Sequence, residues 1–144
     1  MWLCPAAVAH NVDPVYLLAL CKAESDVGYG IDPRAERWGI GPDVSFGAYQ
    51  FTLGFGFWAD RSTDQTNLIA FRDYVVTHPT EVADYAAAWL SRELPAVGNE
   101  VLRAFVVYNS GGDNLDNPMW LAQWGANVQR YRDALAWAEQ YRLA

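Results

Sequence analysis

Glu24 stands in the run KAESDVGYG, residues 22–30, where an apolar stretch gives way to glycines. Counting back by four, three and seven positions gives Leu20, Cys21 and Leu17, so on a helix the carboxyl shares a stripe with apolar neighbours. Such a group is partly desolvated, and in the last turn of a helix it also meets the negative end of the macrodipole. Both effects favour the protonated form and move the titration upward from the roughly 4.3 of a free glutamate. A proton retained toward neutrality is what a general acid requires. The competing reading is a solvated surface glutamate at a helix end.

The elements that must position this residue follow from periodicity and punctuation. Asp13-Pro14 supplies an N-cap and a proline at the first helical position, which predicts a helix over VYLLALCKAES to about residue 25. Residues 3–10 suit a short helix before it. From Asp26 to Gly47, seven glycines and prolines (Gly28, Gly30, Pro33, Gly39, Gly41, Pro42 and Gly47) exclude a long helix and leave short strands or turns. Helical period returns with Leu68, Phe71 and Val75, and again with Val82, Tyr85, Ala86, Trp89 and Leu90. Thr80 is the expected cap of the second of these helices, with Glu81 and Asp84 in its first turn. Gly98 and Asn99 precede a further helix, EVLRAFVVYN, which stops at Ser110-Gly111-Gly112. Asn117-Pro118 opens the last helical region, which can bend at Gly125 and carries Val128, Tyr131, Leu135 and Ala138 along one face. The expected fold class is mainly α: one compact helical domain over residues 1–144, with a small irregular or β insert after the second helix.

Composition narrows the function. A chain of 144 residues with 52% hydrophobic and 15% aromatic side chains has enough apolar material for a substantial core. A formal net charge of -7, with Lys and Arg scattered, disfavours nucleic acid and anionic membrane surfaces as partners. No apolar run approaches the ~20 residues of a membrane span, so no membrane insertion is expected, and MWLCPAAVAHNVDP lacks the basic residues that open a secretory signal. Cys4 and Cys21 either pair across a helical hairpin or remain separate thiols. His10, His78 and the cysteines form no spaced ligand set, so no metal is expected. GFGFWA, residues 54–59, matches a dinucleotide fingerprint without the βαβ context that gives it meaning, and no cofactor is expected. Ser45 and Ser110 lack a nucleophile-elbow setting.

The run NVDPVYLLALCKAES, ending in Glu-Ser, resembles the opening motif of the soluble lytic transglycosylase family of the lysozyme superfamily. SFGAYQFT, residues 45–52, is similar to that family's Gly-Leu-Met-Gln motif. AFVVYNSGG, residues 104–112, is similar to its Ala-Tyr-Asn-Ala-Gly motif, and VQRYRDALAWAEQY, residues 128–141, to its closing tyrosine helix. These pieces occur in the family's order from about residue 5 to 141. The resemblance implies a lysozyme-like α+β fold with Glu24 as the catalytic acid and Ser25 as a polar neighbour. It also implies Gln50 as a sugar-contacting amide, Tyr108 and Asn109 as wall and support of the pocket, and Tyr131 as a further aromatic contributor. Ala48 and Tyr49 depart from the family's leucine and methionine, which implies an altered groove floor.

In family terms the substrate is peptidoglycan, cut at the β-1,4 bond between N-acetylmuramic acid and N-acetylglucosamine. If the Glu24 carboxylate then takes the proton of the sugar's 6-hydroxyl, a 1,6-anhydro end forms. If water is activated instead, the outcome is lysozyme-type hydrolysis. Asp32 and Asp43 are candidates for a second carboxylate, each with an ordinary turn role as the alternative. Trp38, Trp58 and Trp120 are candidates for stacking on sugar rings, whereas Trp89 and Trp137 lie on regular helical faces and read as core. Chitin as substrate, or a non-catalytic glycan-binding or structural phage module, are the other readings. A monomer acting on the cell wall is expected, delivered by a phage, released through holins, or excised from a larger protein.

Overall fold

A computed structural model describes residues 3–25, 45–46, 49, 51–52, 65–110, 112 and 125–142. The chain is mainly helical. In order the elements are α1 (Leu3–Ala9), α2 (Pro14–Ser25), β1 (Ser45–Phe46), β2 (Phe51–Thr52), α3 (Gln65–Thr77), α4 (Pro79–Ala96), α5 (Val101–Ser110) and α6 (Gly125–Glu139). The two strands form a two-residue antiparallel ladder that pairs Ser45 with Thr52 and Phe46 with Phe51.

α2 begins where the sequence places its cap. The Asp13 carboxylate accepts the backbone N–H of Val15 at 2.9 Å, while proline at the first helical position removes a donor that would have no partner. The helix is apolar nearly all round: Val15, Leu17, Ala19, Leu20, Cys21 and Ala23 are all buried. A helix with that pattern must be covered on several sides. α6 lies along one side of it, with α1 and α4 on others. α5 packs on both α4 and α6, and α3 lies against α4 and β1.

The core therefore centres on α2, with Leu17, Leu20, Phe71, Val82, Leu90 and Phe105 among its most deeply buried side chains. Cys21 is a free, buried thiol. Arg142, beyond α6, reaches Asp13 at 2.7 Å and closes the end of the chain onto the start of α2. His10 meets Asp84 at 2.7 Å, fixing the end of α1 against α4.

The start of α4 corrects the sequence expectation. His78, not Thr80, is its N-cap residue, and no side chain caps the first turn. Pro79 occupies the first turn, where its fixed φ suits the helix and its missing N–H leaves one orphan donor fewer. Thr80 consequently lies inside the helix, and Val82 N–H bonds the His78 carbonyl at 3.1 Å. The end of α4 is closed by a left-handed pair, Gly98 at φ +70° and Asn99 at φ +61°, with Asn99 N–H reaching back to the Leu94 carbonyl at 2.7 Å. A Cβ on Gly98 would meet nothing within 4 Å, so backbone conformation alone explains the glycine there.

The loop expected over residues 26–44, the opening of the last helical region at Asn117-Pro118, and Trp38, Trp58 and Trp120 lie outside the described residues. Leu20→Ala removes a fully buried side chain from the helix that α1, α4 and α6 cover. It is expected to lower unfolding free energy by about 2–5 kcal/mol, read as a fall in the urea midpoint at unchanged slope.

Candidate functional site

Glu24 is the second-last residue of α2, and its side chain retains only 9% of its exposure. The burial comes from packing, since the two turns before it belong to the core and α6 covers its flank. From α6, Tyr131 donates its phenolic O–H to Glu24 Oε1 at 2.5 Å. Tyr131 is itself 1% exposed and rests on the ring of Phe105 from α5, with centroids 5.3 Å apart. Its neighbour Arg130 places Nη2 at 3.7 Å from the same Oε1 and its guanidinium 5.1 Å from the Tyr131 ring centroid.

Burial raises the proton affinity of Glu24 above the ordinary carboxylate range, and the Tyr131 hydrogen bond and the Arg130 charge oppose that shift without cancelling it. Tyr131 donates to Oε1 and the Arg130 charge lies nearest the same oxygen, so Oε1 is the accepting oxygen and Oε2 is the one able to carry the carboxyl proton. Burial first, and the Glu24 charge next, push the Tyr131 phenol well above its ordinary value. The pair therefore stays a phenol donating to a carboxyl, and the proton that can be released belongs to Glu24.

Tyr108 and Asn109 come from the last turn of α5. The Tyr108 hydroxyl donates to the Tyr49 carbonyl at 2.7 Å, tying α5 to the turn between β1 and β2. The Tyr108 ring packs edge-on against Trp89 of α4 at 5.0 Å and lies 6.5 Å from Phe51. Its phenol is pushed far upward by burial first and by the charge of Glu24 next, which places the two groups in one electrostatic neighbourhood. Asn109 Oδ1 is buried with no hydrogen-bond partner among the described residues. A buried acceptor without a donor is costly, and a ligand N–H or O–H would satisfy it.

The sequence-predicted residues thus divide. Glu24 and Tyr131 are in direct contact, and Tyr108 stands close enough to feel the same charge. Ser25 is next to Glu24 in sequence, but its hydroxyl donates to the Cys21 carbonyl one turn back at 3.1 Å and the residue is buried. Burial raises the Cys21 thiol to about 11, so it stays protonated at neutral pH. Gln50, Asp32 and Asp43 lie outside the described residues. Tyr49, read from sequence as a change in the groove floor, is fully buried and stacks with Phe51 at 6.0 Å. Trp89 is core as expected, while Trp137 is half-buried, lying under the Lys22 ammonium at 4.8 Å.

Arg130 is the residue that sequence reasoning missed. Its only local signal is adjacency to Tyr131, and its contact with Glu24 spans more than a hundred positions. It also lines an open groove between α2 and α6 together with Lys22, Ala23, Gln129, Asp133 and Ala134. Among the described residues no group of His, Cys, Asp and Glu could hold a metal ion, and no helix is long and apolar enough to cross a membrane. No family model, curated protein or solved structure matches the chain.

The raised proton affinity of Glu24 carries a stability consequence. Above the ordinary carboxylate value of 4.5 the folded state holds this proton while the unfolded state releases it, so stability falls as pH rises through that range. Glu24→Gln keeps the shape and an acceptor for Tyr131 but has no proton to lose. The variant is expected to melt at a higher temperature than the parent at neutral pH, with the advantage disappearing as pH falls below 4.5, measured by thermal unfolding across that range.

Proposed function

We propose that the chain is a peptidoglycan-degrading enzyme, a lytic transglycosylase in which Glu24 is the general acid and base. The observation that carries the reading is the Glu24 carboxyl, withdrawn from water at the end of α2. Its proton affinity is raised by burial and one oxygen is held by a buried tyrosine. That is the state required to protonate a glycosidic oxygen near neutral pH. The order of the four motifs along the chain, with Glu24, Tyr108, Asn109 and Tyr131 drawn from three of them, supports the same reading.

In the proposed reaction Oε2 of Glu24 delivers its proton to the oxygen bridging N-acetylmuramic acid and N-acetylglucosamine as the bond from that oxygen to the anomeric carbon breaks. The carboxylate so formed takes the proton of the muramic acid 6-hydroxyl while that oxygen closes on the anomeric carbon. The proton count on Glu24 is restored, and the product ends in a 1,6-anhydro ring. Asn109 Oδ1, buried and awaiting a donor, suits the N–H of an N-acetyl group. The Tyr108–Tyr49 hydrogen bond keeps the end of α5 and the strand turn together.

The test is clearance of a purified cell-wall suspension by the protein and by Glu24→Gln, followed by mass spectrometry of the released fragments. The parent is expected to clear the suspension and release anhydro ends, and the variant to be slower by at least about a hundredfold while still sedimenting with wall. Fragments heavier by one water would assign lysozyme-type hydrolysis instead. Equal sedimentation of both proteins with no clearance by either would leave a glycan-binding module, and release from chitin oligomers in place of wall would move the substrate to chitin.

A further inference from the structure

We propose that Arg130 is a positioning residue that holds positive charge against Glu24 so that the carboxylate left by proton donation is stabilised and ready to take a proton back. The inference rests on the glycosidase reading above and assigns a residue that its chemistry leaves unassigned. Arg130 Nη2 is 3.7 Å from Glu24 Oε1, too long for a tight hydrogen-bonded pair but well within the reach of charge. The side chain keeps 42% of its exposure, so water screens it and the carboxyl can remain neutral beside it. A bidentate, buried guanidinium would lock Glu24 as a carboxylate and abolish an acid. One placed over the Tyr131 ring at 5.1 Å leaves the resting acid protonated and lowers the energy of the anion once it forms.

The neighbours of Glu24 make this charge decisive. Tyr131 on α6 and Tyr108 on α5 are both held as neutral phenols, and Cys21 on α2 stays a neutral thiol. Lys22 on α2 directs its ammonium over Trp137. Among the described residues, Arg130 is thus the cation that acts on the Glu24 carboxyl, and its effect runs opposite to that of burial. Burial favours the acid needed in the first half of the cycle, and the guanidinium favours the base needed in the second.

The experiment titrates the Glu24 side-chain carboxyl by carbon-detected NMR on glutamate-labelled protein, in the parent and in Arg130→Gln, Arg130→Lys and Arg132→Gln. Arg132 is exposed on the same helix two residues on, and its substitution makes the same change in net charge. The Glu24 titration is expected to move upward in Arg130→Gln and to stay near the parent in Arg130→Lys and Arg132→Gln. The high-pH limb of wall clearance is expected to move upward with it, while the maximal rate falls. An equal displacement in Arg130→Gln and Arg132→Gln, or none in either, overturns the proposal. A displacement confined to Arg130→Gln, in a protein whose parent leaves wall and chitin intact, would keep the charge pairing and overturn the glycosidase reading, so the two failures are distinguishable.

Discussion

The carboxyl at the end of α2 is withdrawn from water because α6 lies along α2, and the phenol of Tyr131 fixes where that carboxyl points. Tyr131 is almost wholly buried, yet its hydroxyl must have a partner, since a buried unpaired hydroxyl is expensive. Glu24 provides it. The acid in turn is denied most of its hydration by the same packing, and the hydrogen bond only partly compensates. Each group is tolerable in the core because of the other, and the pairing brings together residues 107 positions apart. Moving α6 along α2 would expose the acid, orphan the phenol and dissolve the arrangement.

The aromatic side chains of α4, α5, α6 and the strand turn pack in two groups, one behind Tyr131 and one around Tyr108. Phe105 backs Tyr131, Trp89 backs Tyr108, and Phe51 meets Tyr85 edge-on at 5.4 Å while lying near both Tyr49 and Tyr108. Rings in edge and tilted contact resist small displacements, because sliding one opens a gap against the next. The turn between the strands is thereby fixed to α4 and α5, although the ladder itself is only two residue pairs and would be marginal alone. In the proposed reaction such backing would keep the acid aligned with the oxygen it protonates.

Electrostatically the site is a balance between opposing influences on one oxygen pair. Desolvation raises the proton affinity of Glu24, and the Tyr131 hydrogen bond and the Arg130 charge lower it, with desolvation the larger. The balance differs from that of a buried ion pair, where a tightly docked cation would hold the carboxyl charged. It also leaves the fold less stable at neutral pH than an uncharged isostere would, as a poised acid does when its protonation is set by packing rather than by pairing. The buried Cys21 thiol and the Tyr131 and Tyr108 phenols add no charge of their own, so among the described residues the charges acting on the site are the Glu24 carboxyl and the Arg130 guanidinium.

Much of the architecture was legible along the chain. The bounds of α2 followed from Asp13-Pro14 and the apolar run, the faces of α3 and α4 from their period, and the start of α5 from Gly98-Asn99, because caps, turns and amphipathic stripes are written within a few residues of where they act. The start of α4 was misplaced by two residues because a proline at the first turn needs no side-chain cap, so the threonine that looked like one had nothing to do. Glu24 was identifiable as a desolvated acid from its own helical stripe, and the resemblance implied Tyr131 as a further aromatic contributor without pairing it to the acid. Tyr131's hydroxyl as the donor to Oε1, the carbonyl of Tyr49 as the acceptor for Tyr108, and above all Arg130 beside the acid were decided only by the tertiary structure. Those contacts join helices and a turn that are distant in sequence, and the rotation of α6 about its axis, which selects which of its side chains face Glu24, is set by packing against α2 and α5 and leaves no local mark on the chain.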